Sequence, residues 1–328
     1  MNLRRWFLSS MVCMLCASLV CWESHSLEAA VVVFDGFDDG NRTNSPDGIN
    51  WYNFYNPDSP VLSVVDDSSG LGSGNALKAD TQTTGDTYMG VFAAPISLPE
   101  AAGSKLTLRF EMRNDTASPV VPGTFRFGMY DADEATFPDP TGFGGTDGTW
   151  WGQPGSANDP GFYIQQDNLA APAGSSGVRV REESNQISGG FPFGTDDRQV
   201  SAPPGGNFIG LDQSNGKNIF TVELERLAPG YDAGAWRYTY TVDNGTTSAT
   251  LTGLHRKAAD FDVYAGAGNG IITNGTFDYF AVYYDGISGG GADFLIDNFS
   301  VDVVAPEPAT WSMIGVAATI GLWWRKRK

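Results

Sequence analysis

The chain has 328 residues, with 41 glycines, 18 prolines and 20 basic against 38 acidic residues, a formal net charge of −18. Six basic and three acidic residues lie in the terminal segments, leaving 14 against 35 between them; a charge near −21 there repels phosphate backbones and anionic headgroups, so nucleic acid is excluded as a partner. All three cysteines, Cys13, Cys16 and Cys21, fall in the amino-terminal apolar stretch, which removes disulfides, thiolate metal sites and a cysteine nucleophile from the intervening residues.

Residues 1–30 follow the pattern of an export signal. Arg4 and Arg5 precede an apolar run from Met11 to Trp22, and a short polar stretch ends in Ala29 and Ala30, so cleavage is expected near those small residues. The run of 12 residues is about 18 Å long as a helix, short of a hydrocarbon core of about 30 Å, which argues against a permanent anchor. Arg4-Arg5-Trp6-Phe7-Leu8 resembles a twin-arginine signal, but Leu3 stands where Ser or Thr is usual; the apolar stretch that follows favours the general secretory route.

Strand signals then recur with period 2, separated by turn residues. Strands are expected at Val31 to Phe34, Val61 to Val65, Ala76 to Asp80, Tyr88 to Leu98 and Lys105 to Arg113. The last alternates most cleanly: Leu106, Leu108, Phe110 and Met112 share one face, and Thr107, Arg109, Glu111 and Arg113 the other. Thr124 to Tyr130, Phe162 to Gln166 and Val178 to Glu182 follow. Asp131 to Gly161, rich in Gly, Pro and Asp with Trp150-Trp151 in its middle, reads as a long loop of the kind that carries function. An EF-hand register started at Asp131 fails, because Thr136 stands where Gly is needed and Gly142 where Glu is needed. Further strands are expected at Phe220 to Leu224, Trp236 to Val242, Thr247 to Leu251, Phe277 to Tyr284 and Phe294 to Val303. His255, in the polar run Gly253 to Lys257, reads as part of a solvated turn. About a dozen strands with no long helix and no fixed repeat predict an all-β fold, an antiparallel β-sandwich of jelly-roll type, over residues 31–304.

Gly36-Phe37-Asp38-Asp39-Gly40 near the start and Phe294 to Val301 at the end resemble jelly-roll carbohydrate-binding modules and concanavalin-like lectin domains. The resemblance implies a structural calcium shared by Asp38 and Asp297, with carbonyls and water completing six to eight oxygens. Asp38 replaces the usual Glu and Asn298 the second Asp; the alternative is that both are ordinary acids at strand ends. Sugar rings stack on flat aromatic faces, and Trp150, Trp151, Trp236, Tyr283 and Tyr284 supply them. Adjacent Trp150 and Trp151 are difficult to bury together, whereas packing in the core is the commoner fate for a residue such as Trp236.

Catalytic patterns are weak. Glu223 and Glu225 share a strand face, as a glycosidase pair would, but the flanking sequence lacks the Glu-x-Asp-x-x-Glu signature of jelly-roll glycosidases, and a solvated face explains them better. No Gln-x-His strand of a lyase, Gly-x-Ser-x-Gly elbow or phosphate loop is present. The chain closes with Pro306-Glu307-Pro308, an apolar run from Ala309 to Trp324 and Arg325-Lys326-Arg327-Lys328. The prolines hold the junction extended. A 16-residue run makes about 24 Å of helix, marginal for a span, and the basic cluster would stay cytoplasmic.

This order resembles the PEP-CTERM sorting signal of Gram-negative bacteria, a tail also named after ice-binding proteins. The resemblance implies recognition of residues 305–328 by an exosortase, a membrane cysteine protease, with a transient membrane helix and delivery to the cell surface or outer envelope, in association with exopolysaccharide and biofilm matrix. The Thr-rich ladders of a flat ice-binding face are not visible in the sequence. Two functions are carried forward: a non-catalytic glycan-binding or matrix-adhesion module whose partner is extracellular polysaccharide, and a structural envelope or biofilm-matrix protein with no soluble ligand.

Overall fold

The computed structural model describes residues 30–43, 47–53, 62–68, 70–71, 74–79, 86–115, 124–131, 161–167, 177–183, 198–201, 209–211, 216–227, 236–255, 275–285 and 294–306. Fifteen strands run through them: β1 (Ala30–Asp35), β2 (Ile49–Asn53), β3 (Leu62–Asp66), β4 (Asn75–Ala79), β5 (Asp86–Ser97), β6 (Lys105–Asn114), β7 (Thr124–Tyr130), β8 (Gly161–Asp167), β9 (Gly177–Glu183), β10 (Arg198–Ser201), β11 (Asn218–Arg226), β12 (Trp236–Asp243), β13 (Ser248–His255), β14 (Thr276–Asp285) and β15 (Phe294–Val304). Among the described residues no helix is long and apolar enough to cross a membrane. The signal and the sorting run after Pro306, with Glu307 and Pro308, lie outside the described residues, as do both terminal helices expected from the sequence.

Alternation dictates which side of each strand is buried. In β11 and β12 every second residue is buried along the whole strand, and β6 follows the same phase up to Phe110. These strands sit side by side in a first sheet ordered β13-β12-β11-β6-β15-β4-β3, with β1 paired to β15. The second sheet runs β10-β9-β8-β7-β14-β5-β2. All pairings in both sheets are antiparallel.

Ala30–Ala305 forms one unit, a sandwich whose sheets meet through aromatic side chains. Phe110 of the first sheet stacks on Phe220 with ring centroids 4.8 Å apart and meets Phe127 and Phe280 of the second at 5.0 and 5.6 Å. Edge-on and stacked pairs at these distances add to the area they bury. One expected boundary shifts. β13 continues to His255, which pairs with Trp236, so Gly253 to His255 is strand where the polar sequence reads as a turn; the ladder with β12 extends it. β2 and β10, which the sequence pattern does not predict, pair along β5 and β9.

β15 organises the first sheet. One edge pairs with β6 along its length, while the other pairs first with β4 and then with β1. Its register with β6 shifts between Asp297 and Ser300, where Asn298 takes φ 50°, a conformation that Asn tolerates better than most residues.

Candidate functional site

The turn after β1 holds the first chemical feature. Phe37 has φ 56°, costly for a bulky side chain, yet its ring is fully buried and lies 5.9 Å from that of Trp51. Asp35 holds this geometry: Phe37 N–H donates to its Oδ1 and the Trp51 indole N–H to its Oδ2, both at 2.9 Å. Burial raises the Asp35 carboxyl to about 6, against the pull of those two hydrogen bonds. The sequence reading passed over Asp35; the signal was an acid closing the run Val31-Val32-Val33-Phe34, one residue before Gly36.

Asp38, by contrast, is exposed in that turn, while Asp297 is buried on β15. Asn298 donates to both carboxylate oxygens of Asp297, from its backbone N–H at 2.6 Å and its side-chain amide at 3.2 Å. Asn75 on β4 donates to the Phe37 carbonyl at 3.1 Å, bringing the turn to the place where β15 passes from β4 to β1. Two acids are buried there, Asp35 and Asp297, each supplied with two N–H donors. Among the described residues no group of three acidic, His or Cys side chains is placed to hold a metal; Asp38 and Asp297 are the two carboxylates that the resemblance implies, and carbonyls and water would have to supply the other oxygens of a calcium.

The outer face of the first sheet is charged and neutralised pairwise. Glu111 lies directly across from Asp297 and is paired with Arg109 at 2.8 Å and Lys217 at 3.1 Å. Glu223 meets Lys105 and Glu225 meets Arg237, each at 2.9 Å. Ion-paired carboxylates on a strand face serve poorly as an acid and base couple, in keeping with the solvated-face reading of Glu223 and Glu225. Trp236 is 1 % exposed, with the Arg226 guanidinium 4.4 Å from its ring centre, so it packs in the core and offers no open face to a sugar. Trp150 and Trp151 lie outside the described residues.

Aromatic side chains do gather on the outer face of the second sheet. Phe125, Phe127 and Met129 of β7 point into the sandwich, which turns Arg126, Gly128 and Tyr130 outward. Register places Tyr52, Met89, Ala281, Gly128 and Tyr163 in one row across five strands, with Val91, Tyr279, Tyr130 and Gly161 in the next. Tyr130 and Tyr279 stack at 5.2 Å. A Cβ at Gly161 would fall on the Tyr130 ring, and one at Gly128 would meet the Phe162 carbonyl and lie 2.7 Å from Tyr163 Cα, so glycine is required where these rings cross the strands. A third row contains Tyr283, Arg126 and Gln165. The Arg126 guanidinium stands 5.4 Å from the centre of the half-buried Tyr283 ring. Sequence reasoning named Tyr283 alone. The others were legible as tyrosines in the phase opposite to the apolar one, where a soluble sandwich ordinarily carries charge.

No family model matches the chain, and no curated protein is significantly similar to it. Solved structures similar to the chain include peanut lectin with a nine-residue peptide, 14 % identical, covering 82 % of this chain and 97 % of that one at TM-score 0.39. The CBM2 module of the evolved Dit of Lactobacillus casei BL23 phage J-1 is 10 % identical over 85 % and 98 % at 0.42. A conserved carbohydrate esterase from the Shiga toxin-encoding bacteriophage phi24B is 15 % identical over 84 % and 100 % at 0.39. These likenesses are loose, and the sandwich and its faces rest on the chain's own geometry.

Proposed function

We propose that the β-sandwich is a non-catalytic glycan-binding or matrix-adhesion module, exported by the general secretory route and sorted to the cell surface through Pro306, Glu307, Pro308 and the apolar run behind them. The observation that supports binding is the pair Tyr283 and Arg126, both half-buried, an aromatic plate and a cationic donor directly across neighbouring strands, about 5 Å apart at ordinary strand spacing. Such a pair offers a sugar both a stacking face and a hydroxyl partner. Retention on insoluble polysaccharide tests it. Tyr283→Ala should weaken retention about tenfold, the loss of one stacking contact, while Thr250→Ala on the opposite sheet should leave it unchanged. A chelator arm belongs in the same experiment; retention lost to the chelator and lost alike in Asp38→Asn would assign a calcium to Asp38 and Asp297, and retention indifferent to both would remove it.

The burial of Tyr52, Tyr130, Tyr163 and Tyr279, none more than 8 % exposed, favours the second reading, a structural envelope protein without a soluble ligand. Failure to bind any glycan leaves that reading standing and sinks the first. Sorting is tested separately by mass spectrometry of the surface-exposed protein: processing predicts loss of Arg325 to Lys328, and an intact basic terminus contradicts it.

A further inference from the structure

Three large apolar side chains stand out as exposed among the described residues, and all lie on β1: Val31 at 60 %, Val32 at 47 % and Phe34 at 48 %. The register of β1 against β15 skips Val32, a bulge that leaves it outside the ladder. Beside it an apolar groove of about 320 Å³ is lined by Val32, Ala93, Ala94, Pro95, Ile96 and Val303 among others, none of its lining residues charged. Ala93, Ala94 and Pro95 are themselves exposed, where β5 leaves its pairing with β14 between Val91 and Ile96.

Position identifies the occupant. Val303 pairs with Ala30, so both ends of the sandwich leave the sheet at this patch. Ala309, which opens the carboxy-terminal apolar run, follows Val304 by five residues, a reach of at most about 17 Å. On a chain whose central portion is strongly acidic, an uncharged apolar patch at this place suits a lipid surface. We propose that Val31, Val32, Phe34 and the Ala93–Pro95 segment rest in the interfacial layer of the membrane while the run from Ala309 to Trp324 is inserted. This rests on the reading of that run as a membrane segment. A second copy is the weaker occupant, because a patch of a few hundred Å² falls short of the roughly 1,200 Å² of a stable interface. A tethered patch needs far less, since the tether raises its effective concentration at the surface. Among the described residues β1 pairs on one edge only, with β15, and an unpaired strand edge suits the hydrated interface rather than the hydrocarbon.

The test uses residues 31–328, the cysteine-free chain left by the proposed cleavage near Ala30, with a single environment-sensitive fluorophore on Val32→Cys or, as control, Thr250→Cys, reconstituted into phosphatidylcholine vesicles. Flotation with the vesicles, a blue shift at position 32 quenched by brominated lipid, and no change at position 250 are expected. A chain that floats while position 32 keeps its aqueous emission overturns the proposal and leaves the tail reading intact. If Val316→Asp with Ile320→Asp still floats, the anchor is not the tail and the proposal falls with that reading. A blue shift that grows with protein concentration in the absence of vesicles assigns the patch to a second copy and overturns it as well.

Discussion

Phe110→Ala is expected to destabilise the sandwich by about 4 kcal/mol, a large share of the 5–15 kcal/mol that holds a typical domain. The ring is fully buried and joins the sheets, stacking on Phe220 within its own sheet and meeting Phe125, Phe127 and Phe280 across the interface. Removing it forfeits its own transfer free energy and leaves a cavity that these flat, mutually wedged neighbours fill poorly. Chemical denaturation measures the loss. Thr107→Ala, on the opposite face of the same strand, should change stability by less than about 0.5 kcal/mol. A Phe110→Ala cost under about 1 kcal/mol would mean that the sheets do not pack through this cluster.

The second expectation concerns pH. Asp35 is 0 % exposed, and its carboxyl is raised from 3.8 to about 6 by burial. The folded chain therefore holds this proton more tightly than the unfolded chain. Stability from Asp35 is fully present below about pH 4, is lost as pH rises through about 6, and stays flat above that. Two pH units correspond to about 3 kcal/mol at roughly 1.4 kcal/mol per unit. The difference between wild type and Asp35→Asn isolates it, because other titrating groups contribute to both. Asn cannot ionise, so its stability should fall less between pH 4 and 7, although one of the two N–H donors then loses an acceptor at a cost of about 1–3 kcal/mol at every pH. Parallel profiles for the two proteins would assign the carboxyl an ordinary affinity for its proton.

The strands were legible because one face of each lies against the opposing sheet. Leu106, Leu108 and Phe110 repeat with period 2 for that reason, and the expected boundaries of Thr124 to Tyr130 coincide with those of β7. β2 escaped notice because its two aromatic residues, Trp51 and Tyr52, are adjacent between Asn50 and Asn53 and both buried, and β10 because Arg198–Ser201 is four residues with one apolar side chain. The site was harder to read. Of the aromatic residues that the sequence offers to a sugar, Trp236 turns inward and Tyr283 faces outward, while the other outer tyrosines depend on register between strands far apart in sequence. Tyr163 neighbours Gly128, and Gly128 neighbours Ala281, a relation no local pattern encodes. The acid expected at the first turn was the exposed Asp38; the buried one, Asp35, is identified by its donors, Phe37 and Trp51.

The dual role of β15 bears on when the fold can appear. It is the strand that joins β6 to β4 and supplies the partner of β1, so a chain that has yet to yield residues 294–304 has the two halves of its first sheet disconnected and its first strand without a mate. Contacts of such long sequence separation make folding slow, because loop-closure entropy is lost before any pairing compensates it. For a polypeptide threaded unfolded through a secretion channel, as the proposed route requires, this ordering is an asset: β15 acts as a latch that closes only after nearly the whole sandwich has reached the far side.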